Sequence, residues 1–105
     1  MKIKNLNQMK GGWFVGDFEP TLVKEKNFEV AVKSYKAGDK EVWHKHKLAY
    51  EITVILNGSA LMNGATLHHG DMIKLEPNEG SDFEAITDVD TIVVKSPSVV
   101  GDKYF

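Results

Sequence analysis

No segment of ten or more residues carries a 3.6-residue hydrophobic period, whereas short β-branched and aromatic runs recur along the chain, each closed by Gly, Asn, Asp or Pro. The expectation is an all-β chain, a sandwich or a small barrel of six to nine short strands. Phe28, Val30 and Val32 alternate with Glu29, Ala31 and Lys33, the period of two of a strand with one buried face, and Gly38-Asp39 ends it. Tyr50 to Leu56 is nearly continuous in apolar residues and stops at Asn57-Gly58; Asn63-Gly64 soon repeats that signal. Asn-Gly supplies the positive φ angles of a type I′ hairpin, so Ser59 to Met62 is predicted as a short strand between two such turns. Further strands are expected at Met72–Leu75, Phe83–Ile86 and Thr91–Val94. Leu22–Lys26 is at most a helical turn, and the segment around Gly11-Gly12-Trp13-Phe14 and the tail Lys95–Phe105 carry no assignment.

A chain of 105 residues buries roughly 65% of its extended surface on folding. Residues 1–105 are therefore expected to form a single domain, and no linker or internal repeat divides them. Cysteine is absent, which excludes thiolate nucleophiles, redox dithiols and cysteine zinc sites. Thirteen Lys and Arg are interspersed with fifteen Asp and Glu, for a formal net charge of −2, so there is no basic footprint for a phosphate backbone. Met1 to Gly12 lacks the continuous apolar core of a signal peptide, and no stretch approaches the ~18 apolar residues of a membrane span. The expectation is a soluble, cytoplasmic protein with neither nucleic acid nor membrane as a partner.

His44 and His46 stand two apart, so both imidazoles leave one face of an extended strand, a spacing that can chelate a metal. Glu51 has the opposite parity. It reaches them only if the chain turns at Lys47-Leu48-Ala49-Tyr50 and returns as the next strand, and no Gly or Pro marks that turn. A carboxylate between Tyr50 and Ile52 in an apolar strand is costly unless a cation, a donor or a proton meets it. Two imidazoles and one carboxylate match the facial set of non-haem iron sites, and manganese, zinc and nickel suit the same donors. His68 and His69 are adjacent, so on a strand they point apart and read as surface residues. Asp39 and Asp71 follow glycines at turns, where Asp caps backbone amides. Trp43 is expected to face away from the histidines, into the core or a subunit contact.

The spacing Gly38, five residues, His44, one, His46, four, Glu51, six, Gly58 resembles the first signature motif of the cupins position for position. Five fixed residues at fixed gaps arise by chance only about once in ten thousand such chains or more rarely. Gly70-Asp71, opening a strand that ends at a Pro77 turn before a hydrophobic strand near Phe83, is similar to the second motif. The resemblance spans about residues 28–94 and implies a double-stranded β-helix, or jelly-roll barrel, of the small, single-domain, RmlC-like kind. It also implies a divalent metal (Fe, Mn, Zn or Ni) on His44, His46 and Glu51 inside the barrel, and a homodimer formed through a sheet edge.

The second motif departs from the cupin pattern. Counting from Gly70, Asn78 stands where cupins usually place glycine, and Ser81 where they place their last histidine ligand. Ser81 is a poor ligand; Asp82 is chemically better, but strand parity turns it outward. Ser81, Asp82 and Tyr50 are therefore candidate additional site residues beside a three-ligand set that leaves coordination positions open. The function implied is binding or transforming a small polar or anionic metabolite, sugar-like or organic-acid-like, in the barrel mouth. As an enzyme it would be a metal-dependent isomerase or epimerase, or a dioxygenase. The alternative is a non-catalytic small-molecule-binding module with a degenerate or absent metal site.

Overall fold

The computed structural model describes all 105 residues, Met1–Phe105. After a short 3₁₀ turn at Leu6–Gln8 come ten strands: β1 (Trp13–Gly16), β2 (Val23–Lys24), β3 (Glu29–Tyr35), β4 (Lys40–Lys45), β5 (Tyr50–Asn57), β6 (Ser59–Met62), β7 (Ala65–His68), β8 (Met72–Leu75), β9 (Gly80–Ala85) and β10 (Val89–Ser96). One sheet has six strands in the order β2-β1-β3-β10-β5-β8, the other four in the order β4-β9-β6-β7. The buried cluster of Ile55 and Val89 from the first sheet with Ala60, Met62, Leu67, Phe83 and Ala85 from the second packs the sheets face to face. No helix is long and apolar enough to cross a membrane.

Strands β6 and β8 coincide with the predicted segments, and β5, β9 and β10 extend theirs by a few residues. Leu22–Lys26 is not a helical turn: it holds β2, parallel to β1 in the register Val15 with Val23. The buried Thr21 hydroxyl accepts the Val23 N–H and lies 2.8 Å from the Phe14 carbonyl, which keeps the segment extended.

Two local expectations fail for physical reasons. In β3 the face turned inward is Glu29, Ala31, Lys33 and Tyr35, not Phe28, Val30 and Val32; Glu29 and Ala31 are buried, while Phe28 is exposed. The outer face keeps its apolar residues because the N-terminal arm covers it, with Leu6, Met9, Phe14 and Leu22 gathered around Val32. The inner face can be polar because it lines the barrel mouth.

Asn57-Gly58 is not a type I′ hairpin either. Gly58 alone has a positive φ, +75°, and the chain there crosses from one sheet to the other. The Asn57 side chain is held by β10, accepting the Asp90 N–H at 3.0 Å and donating to the Asp90 carboxylate at 2.8 Å. The Ser34 hydroxyl and then the Asn57 amide, both donating to the Asp90 carboxylate, hold its pKa below the ordinary value. A Cβ on Gly58 would stand 2.1 Å from the Asp88 carbonyl oxygen, whereas one on Gly38 would meet nothing. Gly58→Ala should therefore cost about 1–3 kcal/mol and Gly38→Ala distinctly less, although its φ is also positive; urea unfolding of the two variants checks the order. Asn63-Gly64, by contrast, has positive φ at both residues and joins β6 to β7 as the hairpin the sequence predicts.

The register grades the barrel interior from polar to apolar. Glu29, Lys95, Glu51 and Leu75 lie in one row across β3, β10, β5 and β8. Four residues further along β10 toward Val89, the row is Lys33, Thr91 and Ile55. The apolar cluster fills the barrel beyond that second row, and the charged row marks the open end.

Candidate metal centre

β4 ends at Lys45, and the chain bends through Lys47–Ala49 before β5 begins at Tyr50. No local propensity makes this bend. Asp102, in the C-terminal tail and 6% exposed, makes it: its carboxylate accepts the N–H of Lys47 at 2.9 Å, of Leu48 at 3.0 Å and of Ala49 at 3.0 Å. Burial pushes this carboxyl pKa up, but the three backbone donors outweigh burial and hold it below the ordinary carboxylate value. An antiparallel bridge between Lys45 and Tyr104 fastens the tail alongside.

The same tail residue orients a histidine. His46 is 5% exposed, and its Nδ1–H donates to the Asp102 backbone carbonyl. A carbonyl can only accept, so Nδ1 carries a proton and Nε2 is the ring nitrogen turned toward the cavity. That Nε2 is buried, has no hydrogen-bond partner and stands 3.4 Å from Glu51 Oε1. His44 is arranged alike, its Nδ1–H directed to the Val42 carbonyl at 3.2 Å. The two rings sit edge to face with centroids 5.4 Å apart. One ligand atom from each of His44, His46 and Glu51 lies within 4.8 Å of the others.

The donor set fits a divalent ion. A lone pair facing a carboxylate oxygen in a site this dry is repulsive unless a cation or a proton lies between them. The 3.4 Å separation falls in the range of about 3.0–3.4 Å for neighbouring ligands that each stand near 2.1 Å from an ion. Backbone carbonyls on both Nδ1 atoms are the outer-shell contacts that fix tautomer and ring orientation in metal sites.

The three additional candidates separate. Ser81 is buried and in register with His44, lines the same cavity, and directs its hydroxyl to the Asp82 carbonyl at 2.7 Å. Asp82 also borders the cavity, and its exposed carboxylate accepts the Asn63 N–H at 2.8 Å, which anchors the β6–β7 turn. Tyr50 lies on the opposite face of β5 from Glu51, with the Lys74 ammonium 5.0 Å from its ring. Trp43 also faces out, 46% exposed, and is not part of the core; its ring occupies the space where a Cβ of residue 80 would be, 2.1 Å away, so Gly80 is required there. Asn78 adopts φ +71°, as a residue in the usual glycine position must. His68 and His69 are exposed.

Sequence reading passed over several residues of the cavity: Lys33, Tyr35, Glu41, Thr91 and Lys95 all line it. Tyr35 donates its phenolic hydrogen to Glu41 at 2.6 Å, and burial, then Glu41, push its pKa well up. Lys95 pairs with the buried Glu29 at 2.7 Å. Knowing that the inner face of β3 is Glu29, Ala31, Lys33 and Tyr35 would have identified two of the five, but the apolar alternation pointed to the other face.

Two packed sheets enclosing a pair of histidines and a glutamate at one end define a jelly-roll barrel with a metal-type site. Solved structures share this fold over two thirds or more of the chain. A double-stranded β-helix protein of Klebsiella pneumoniae superposes with TM-score 0.67 at 19% identity, covering 72% of this chain and 68% of that one. The dimethylsulfoniopropionate (DMSP) lyase DddQ of Ruegeria pomeroyi gives TM-score 0.73 at 19% identity over 89% of this chain and 49% of that one. A sugar phosphate isomerase from a cupin superfamily, of Silicibacter pomeroyi, gives 0.62 at 19% identity over 67% and 50%. The fold is the double-stranded β-helix that solved cupin and RmlC-like structures share. No protein-family profile matches the chain, and no curated protein matches it by sequence.

Proposed function

We propose that the chain binds a divalent transition metal through His44, His46 and Glu51 and acts on a small polar or anionic metabolite in the adjoining cavity of about 190 Å³. The observation that carries this reading is the orphaned, buried Nε2 of His46 facing the Glu51 carboxylate. An ion bound there supplies Lewis-acid polarisation of a substrate oxygen. Ser81 in place of a third imidazole leaves room at the ion for substrate.

Among the reactions open to such a site, metal-assisted isomerisation or epimerisation is favoured over dioxygenation by the Tyr35–Glu41 pair in the same cavity. Isomerisation moves a proton between substrate carbons. Glu41 is the group suited to take it, and Tyr35, whose raised pKa keeps it protonated, holds Glu41 by its hydrogen bond. That a sugar phosphate isomerase and a lyase share the fold supports this reading only so far as the same barrel hosts such chemistry.

The test is elemental analysis of protein purified without chelator or immobilised-metal resin, against a His44→Ala/His46→Ala control. Near-stoichiometric iron, manganese, zinc or nickel that disappears in the control is the expected result. Less than about a tenth of an equivalent, with no uptake when each ion is added back, would overturn the metal site and leave a metal-free ligand-binding barrel as the better reading.

A further inference from the structure

Besides His46 Nε2, one other buried side-chain polar atom lacks a partner: the hydroxyl of Thr91, a residue 1% exposed that lines the same cavity. Its cross-strand neighbour in β3 is Lys33. Lys33 is half-buried in the cavity wall and makes no ion pair or hydrogen bond; its ammonium lies 5.5 Å from the Trp13 ring centroid. Burial draws its pKa down, with Glu41 opposing and Lys103 and Lys95 adding to the fall. The other ammonium on the inner sheet face, that of Lys95, is already taken by Glu29 at 2.7 Å.

An ammonium and a hydroxyl without protein partners, carried by cross-strand neighbours that line one cavity, point to an acceptor from outside the chain. An ammonium and a hydroxyl together suit an anion with two oxygens at a fixed angle. A carboxylate meets that description better than a phosphate. Glu41, Glu51, Glu79 and Asp82 line the same cavity against Lys33, Lys95 and Lys103, and Lys95 is already paired with Glu29, so carboxylates outnumber the ammonium groups left for a ligand and a second negative charge is disfavoured.

We infer that Lys33 and Thr91 form a carboxylate subsite, and that the substrate is a small monocarboxylic acid whose carboxylate rests there while a hydroxyl or oxo oxygen points to His44, His46 and Glu51. The inference rests on the proposed metal-dependent reading for its second contact only. The cavity, about 190 Å³, is smaller than the roughly 300–1,000 Å³ of drug-sized sites and suits acids of about two to four carbons.

Calorimetric titration of the full chain, metal-free and loaded with cobalt(II), with glycolate, lactate, glycerate, inorganic phosphate and xylitol tests this. At least one acid should bind more tightly than phosphate or xylitol. Lys33→Met should weaken that acid about tenfold or more and Thr91→Val about threefold, with Lys33→Arg retaining part of the affinity. Cobalt affinity, read from the visible spectrum, should be unchanged in all three variants. Binding of no acid, equal binding of phosphate or xylitol, or an acid affinity unchanged in both Lys33→Met and Thr91→Val overturns the subsite. Failure to take up cobalt sinks the metal reading instead, and the dependence of acid binding on Lys33 in the metal-free protein then still decides the subsite.

Discussion

Asp102→Ala should weaken cobalt(II) or zinc(II) binding by about 10- to 100-fold, the range that follows when the outer-shell support of a metal-bound histidine is disturbed. The side chain touches no ligand atom. It holds the bend at Lys47–Ala49 that lets His46 and Glu51 meet, and it fixes the backbone carbonyl that orients the His46 ring. Only the Ala49 N–H is left buried when the carboxylate goes, since Lys47 and Leu48 are exposed and can turn to water. The loss in stability should therefore be about 2–3 kcal/mol, so the barrel survives while the site loosens. Asp102→Asn, which keeps one acceptor oxygen, should fall between the two proteins. Competition with a chromophoric chelator gives the affinities and urea denaturation the stabilities. An Ala variant that binds metal like the native chain would show that the tail has no part in the site.

The largest effect on stability is expected at the charged row. Glu29 and Lys95 pair at 2.7 Å with side chains only 7% and 16% exposed, and the Ser98 hydroxyl donates to the second Glu29 oxygen at 2.8 Å. Lys95→Met would leave the Glu29 carboxylate buried with one neutral donor. Breaking a buried pair in this way costs about 3–5 kcal/mol, enough to bring a domain of this size close to unfolding at room temperature. The double variant Glu29→Gln/Lys95→Met removes both charges and should recover most of that loss. Urea unfolding of the two proteins separates the explanations: if the double variant is no more stable than the single one, Lys95 acts through packing on Trp13, over which its ammonium lies at 4.7 Å, and not through charge.

The strands could be read because their signals are local. The period of two and the Gly and Asn punctuation identified the segments that became β5, β6, β8, β9 and β10. Which way β3 faces could not be read, because its apolar residues are buried by an N-terminal arm that carries no strand-like pattern of its own. The spacing of His44, His46 and Glu51 marked the cluster, yet the bend that assembles it is made by Asp102, more than fifty residues on, in a tail without any recognisable motif. Thr91, Lys33 and Glu41 likewise converge only through strand register, which period and propensity do not encode.

The carbonyl that aims His46 comes from a residue 56 positions later in the chain. All of β5 to β10 lies between them, so the ligand set exists only when most of the barrel has closed. An ion held there binds the folded chain and not the unfolded one, and a free concentration of 100 times the dissociation constant would add about 2.7 kcal/mol to stability. Proteases in a cell act on transiently opened chains, and a shift of that size changes abundance several-fold. The steady-state level of this protein would then follow the supply of its ion, with no dedicated sensor required.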